Sequence, residues 1–143
     1  MSDTALRLEH SVEAEVSLAS AWRFRTDVTK WNDPPARFQL EGGFREGAQG
    51  TTLLPGQEPL HWRICRLREA ESFAVEMGLD RATLIFEWHF AALGENRTRL
   101  TQCILLQGEN AAAYAAQVQA GLGANLAGGM ERIAAEMRAD AAS

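Results

Sequence analysis

Residues 110–138, NAAAYAAQVQAGLGANLAGGMERIAAEMR, decide the fold. Val118, Leu122, Leu126, Met130, Ile133 and Met137 recur at spacings of three and four. They therefore share one stripe of an amphipathic helix running from Asn110 to about Arg138. Asn110 stands where an N-cap is expected, because its side chain can accept from the free N–H groups of a first turn. The stretch also holds Gly121, Gly123, Gly128 and Gly129. Each costs about 1 kcal/mol relative to alanine inside a helix, roughly 4 kcal/mol in all. Two accounts fit: a helix that a sheet approaches closely or that leaves room for a bound molecule, and a locally loosened helix with no ligand.

Upstream of this helix the period is two. Leu6, Leu8, His10, Val12, Ala14 and Val16 alternate with Arg7, Glu9, Ser11, Glu13, Glu15 and Ser17, which reads as a half-buried strand. Ser17 then caps a short helix over 18–24, and Thr26 or Asp27 caps a second short turn through Trp31. Asn32-Asp33-Pro34-Pro35 ends it, since proline disfavours helix in the residue before it. Strands follow over 37–41, 51–54, 60–68, 73–79, 81–90 and 98–106, joined by glycine-rich or proline-containing turns. Within 60–68 the alternation slips after Ile64, the sign of a bulge. Short turns between successive strands predict an antiparallel meander, and its apolar face matches the stripe of the last helix.

Composition narrows the function. The 143 residues suit one domain (1–143) with a real core, and the charge of −5 gives no basic face for nucleic acid. No apolar run is long enough for a membrane helix, and the polar start, residues 1–10, does not read as a secretory signal. Cys65 and Cys103 match no zinc spacing and read as reduced, cytosolic thiols.

The order of elements and several motifs resemble a known superfamily. These are the strand running into Ser17-Leu18-Ala19-Ser20-Ala21-Trp22, Thr26-Asp27-Val28 with Trp31, and the glycine set from Gly42 to Gly50. Asn96-Arg97-Thr98-Arg99-Leu100-Thr101 and the long terminal helix complete them. The chain resembles the helix-grip (Bet v 1-like, START-related, SRPBCC) superfamily, in particular its bacterial polyketide cyclase/dehydrase branch. The resemblance implies an α+β fold, β-α-α-β6-α, in which a curved seven-stranded antiparallel sheet wraps a long C-terminal helix. It also implies a cavity for a hydrophobic small molecule, lipid-like or aromatic. It brings no fixed catalytic motif, because one fold serves carriers, cyclases and protein-binding members.

The candidate site residues come from the faces. Trp62 and Trp88 are large inward aromatics suited to an apolar wall or to plain core. Gln102 breaks an otherwise apolar inward row, and a buried amide needs a partner, whether ligand, side chain or water. Leu122 lies on the helix stripe; Tyr114 and Asn125 lie at its edge, either on a pocket rim or at the solvent boundary. Trp22 and Trp31 read as structural. His10 faces inward and is the weak candidate for a catalytic base. His10, His61 and His89 fall on different faces, so no metal site is read. No nucleophile elbow and no phosphate loop appear, and no cofactor is expected. Three functions remain: binding of a hydrophobic molecule, a cyclase/dehydratase-type enzyme, and a protein-interaction module. For the last, Ile85 and Leu105 would form an outer-face patch for a homodimer.

Overall fold

A computed structural model describes residues 4–143, so the first three residues of the polar N-terminal stretch lie outside the described residues. Strand β1 (Thr4–Ala14) leads into helix α1 (Leu18–Arg25) and a 3-10 turn (Val28–Lys30). Strands β2 (Arg37–Leu40), β3 (Gln49–Leu53), β4 (Leu60–Arg68), β5 (Ser72–Leu79), β6 (Ala82–Gly94) and β7 (Arg97–Gln107) follow. They form one curved antiparallel sheet in the order β1-β7-β6-β5-β4-β3-β2. The meander therefore runs from β2 to β7, and β1 adds to β7. The segment containing α1 carries the chain from one sheet edge to the other.

Local chemistry explains the ends. Ser17 Oγ accepts from the Ser20 N–H at 3.1 Å, and Asp27 Oδ1 accepts from the Thr29 N–H at 3.0 Å. The second short helix expected from the sequence is this single 3-10 turn. In β4 the pairing shifts between Ile64 and Arg66, so Cys65 is the extra residue of the bulge and Leu67 rejoins the inward face opposite Phe73. Thr98, fully buried, donates its hydroxyl to the Val16 carbonyl at 2.9 Å and ties the start of β7 to the chain leaving β1.

The terminal helix departs from the expected single rod. It begins with a 3-10 turn (Ala111–Ala113), continues as α2 (Ala115–Val118), passes through a π turn (Gln119–Gly123) and only then becomes α3 (Ala124–Ala142). Asn110 does not cap it: its Nδ2 instead donates to the Asp80 carbonyl at 3.1 Å, pinning the helix start to the β5–β6 turn. The π turn falls where Gly121 and Gly123 weaken the regular hydrogen-bond ladder. Among the described residues no helix is long and apolar enough to cross a membrane.

Two apolar clusters hold the domain. The larger joins α1 and the lower half of α3 to the sheet through Trp22, Phe73, Phe90, Leu100, Met130 and Met137. Trp22 sits edge-on to Phe90 at 5.1 Å and to Phe73 at 6.1 Å, so its structural reading agrees with its place. The smaller joins the helix start to Leu84, Ile104 and Leu106. Gly50, across from Trp62 on the neighbouring strand, leaves room for the indole: a Cβ there would stand 2.2 Å from the ring. Gly50→Ala is expected to destabilise the domain by about 1–3 kcal/mol, the usual cost of overpacking. A lowered thermal midpoint together with a shifted tryptophan emission would check it.

Candidate functional site: a cavity under the terminal helix

Helix α3 packs chiefly against β1 and α1, and toward β2 the 3-10 turn after α1 lies on the sheet. Inward apolar side chains on that side stay only half-buried: Phe38, Met77 and Phe86 on the sheet, Leu122, Leu126 and Ile133 on the helix. Between them lies a cavity of about 1120 Å3. Exposed lining residues such as Asn32, Leu60 and Gln117 mark where it meets solvent. Leu60 is also the sole exposed large hydrophobic among the described residues. The glycines now separate by role. A Cβ on Gly128 or Gly129 would meet nothing within 4 Å, and both residues line the cavity. They are places where the helix withholds side chains from an empty volume, and no sheet approaches them.

All six of Trp62, Trp88, Gln102, Tyr114, Leu122 and Asn125 line this cavity. Trp62 and Trp88 are almost wholly buried, and the Trp62 indole N–H donates to Thr52 Oγ1 at 3.0 Å. Gln102 pairs across strands with Trp88 on one side and His10 on the other. Its side-chain amide has no hydrogen-bond partner among the described residues. Tyr114 and Asn125 sit at the helix-start end and are partly committed. The Tyr114 hydroxyl reaches the Asp80 carbonyl at 3.5 Å, and Asn125 Nδ2 donates to the Gly121 carbonyl at 2.9 Å. His10, half-buried on β1, is not among the lining residues. It lies on the strand against which α3 packs, away from the open half of the sheet. His61 and His89 are exposed. Cys65 and Cys103 are free, and burial pushes both thiols up, which disfavours thiolate. On the outer face Ile85 and Leu105 are cross-strand neighbours and half-buried.

One residue that the sequence reading passed over stands out. Arg25, the last residue of α1, lines the cavity with its guanidinium carbon over two indoles, 4.3 Å from the Trp88 ring centre and 4.7 Å from that of Trp31. Trp31 also stacks on Trp62 at 5.5 Å. It is therefore a cavity wall as well as a brace for the turn. Arg25 Nε is buried without a hydrogen-bond partner, and no ion pair or side-chain hydrogen bond engages the rest of the group among the described residues. The residue is half-buried overall: Nε is shut in, while the rest of the guanidinium faces the cavity. Burial lowers its pKa well below the usual arginine range, to about 9; Glu136 pulls it back up and Arg132 pushes it further down. At neutral pH it remains a cation. A signal for it was present: Arg25 stands four residues after Ala21 and three after Trp22, on the buried face of a helix.

The other charged groups at the cavity are paired. Lys30 meets Asp140 at 2.5 Å, Arg132 meets Asp33 at 3.7 Å, and Asn32 donates to Glu136 at 3.1 Å. Residues 132, 136 and 140 are spaced by four, so one face of α3 clasps the loop after α1 across one end of the cavity.

Solved structures share this architecture. The chain superposes on norcoclaurine synthase from Thalictrum flavum, a point mutant in complex with a transition-state analogue, with a TM-score of 0.74 and 11% identity over 100% of both chains. This chain has the helix-grip fold. The Zhui aromatase/cyclase from Streptomyces sp. R1128 superposes with a TM-score of 0.71 and 16% identity, over 92% of this chain and 93% of that one. A protein from Arthrobacter aurescens gives 0.67 and 19% over 93% and 86%. No protein-family model and no curated protein matches the sequence. At these identities the likeness is one of fold, and the function of this helix-grip domain has to be argued from its own cavity.

Arg25→Met tests what the buried cation does for the fold. The substitution gives up two cation–π contacts, about 0.5–2 kcal/mol each, but removes a half-buried cation whose Nε is left without a hydrogen-bond partner, a cost of about 1–3 kcal/mol. The variant is expected to melt at or a few degrees above the wild-type temperature in ligand-free protein. A fall of several degrees would assign Arg25 a structural role.

Proposed function

We propose that this domain binds a hydrophobic small molecule in the cavity between the sheet and the terminal helix. The observation that carries the reading is the unfilled volume of about 1120 Å3, walled by apolar and aromatic side chains that the fold brings together and does not pack. It lies just above the range of about 300–1,000 Å3 for small-molecule pockets, which combine an apolar lining with a few polar groups that orient the ligand. Trp62, Trp88, Leu122, Leu126 and Phe86 supply contact area, and burial of the ligand contributes roughly 25 cal/mol per Å2 of apolar surface. Gln102, with an uncommitted amide, and the rim residues Tyr114 and Asn125 supply hydrogen bonds.

Binding is favoured over cyclase/dehydratase chemistry by the placement of the proton-transfer groups. His10 does not line the cavity, and the lining acids Asp33 and Glu136 sit at the clasped end, engaged with Arg132 and Asn32. A general base has to reach the proton it removes. The neighbours named for synthase and cyclase activities keep the enzymatic reading as the alternative.

Native mass spectrometry of protein purified from its own host is expected to show a bound small molecule. Gly129→Leu places a side chain where nothing now stands and also improves helix propensity. It should weaken uptake of an apolar fluorescent probe severalfold while leaving the thermal midpoint unchanged or higher. Undiminished uptake would place the ligand elsewhere.

A further inference from the structure

We infer that the ligand carries an anionic oxygen group, a carboxylate, and that Arg25 receives it with Trp31 and Trp88 holding the guanidinium in place. This rests on the cavity reading above and adds the chemical class of the ligand's polar end.

Three cations line the cavity, and two are answered within the chain, Lys30 by Asp140 and Arg132 by Asp33. Arg25 is the third, and among the described residues no carboxylate stands within ion-pair distance of it. The chain has 19 acidic residues and a net charge of −5, so a lack of acids does not explain this. Glu136 is close enough to act on the cation through space, yet its carboxylate accepts from Asn32 instead. A buried guanidinium nitrogen without a hydrogen-bond partner calls for an explanation, and perturbed groups of this kind cluster at functional sites.

Its mounting fits that purpose. Trp88 is anchored in the core, and Trp31 is braced by Trp62, so both indoles are fixed before a ligand arrives. The rings stabilise the cation but offer it no acceptor oxygen. The planar N–H fork of arginine matches a carboxylate, and charge-assisted bonds are roughly twice as strong as neutral ones. Gln102, next to Trp88 on β7, has a free amide on the same wall. The ligand is thus an apolar, preferably aromatic, acid: its body lies against Trp62, Phe86 and Leu126, and its head meets Arg25.

The test uses the full chain and a matched pair of probes, pyrene-1-butyrate and its methyl ester, with binding read by energy transfer from tryptophan. Wild-type protein is expected to bind the acid about tenfold or more tightly than the ester, as a charge-assisted hydrogen bond predicts. Arg25→Met and Arg25→Gln should abolish that preference by weakening the acid alone, with ester affinity held within about threefold. Lys30→Met and Arg132→Met should preserve the preference. Equal binding of acid and ester by wild type would overturn the inference while leaving the cavity reading intact. A preference lost in Arg132→Met and retained in both Arg25 variants would overturn it too. Binding of neither probe by wild type would defeat the cavity reading first and this inference with it. The acid-against-ester comparison in wild type stands even if a variant fails to fold.

Discussion

A sheet with an apolar concave face has to be covered, and here the terminal helix and the short α1 share seven strands between them. Helix α3 settles against β1 and α1, where Met130, Ala134 and Met137 complete the main core. It cannot also reach the strands on the far side. Every feature of the site follows from that shortfall. Phe86, Met77 and Leu126 face inward but touch too little to be buried, and Gly128 and Gly129 stand over open space. In a close-packed interior such a volume is unfavourable unless something occupies it.

The domain compensates at the borders of the gap. At the helix start, Asn110 and Tyr114 hold the chain to the β5–β6 turn. At the other end three polar contacts join residues 132, 136 and 140 to the loop after α1. Between these fixtures the π turn interrupts the helix. Hydrogen bonds and ion pairs thus fix both ends, and the middle is left unfilled.

Arg25 illustrates how a local sequence feature acquires meaning from distant parts of the chain. Its position on α1 places it on the buried face, but whether a buried arginine is answered depends on what the sheet and α3 bring to it. They bring Trp88 from β6 and Trp31 from the next turn, and no acceptor oxygen. A cation held by two indoles with no carboxylate in ion-pair contact is a local departure from the rule that buried charges are paired.

Much of the architecture was legible in residue spacing, because alternation along a strand and three-four spacing along a helix are local consequences of backbone geometry. The bulge after Ile64, the Ser17 and Asp27 caps and the inward rows of β1 and β7 all follow from neighbouring residues. The inward faces of Trp62, Trp88, Gln102 and Leu122 followed too. Asn110 misled because a cap-forming side chain can bond equally well to another turn, and Asp80 is contributed by a contact that spacing does not encode. His10 points inward but lies outside the cavity lining, since the face of a strand does not say which half of a sheet it occupies.

The chain by itself therefore determined the strand-and-helix order and the buried faces, since these depend on periodicity and on short-range hydrogen bonding, while the order of its motifs carried the resemblance to helix-grip proteins. Only the tertiary structure decided where the closing helix sits, that it leaves a cavity of about 1120 Å3, and that Arg25 meets two indoles and no acid there. Those outcomes depend on which surfaces meet when remote segments pack, and pairings across a hundred residues leave no mark on the spacing of neighbours.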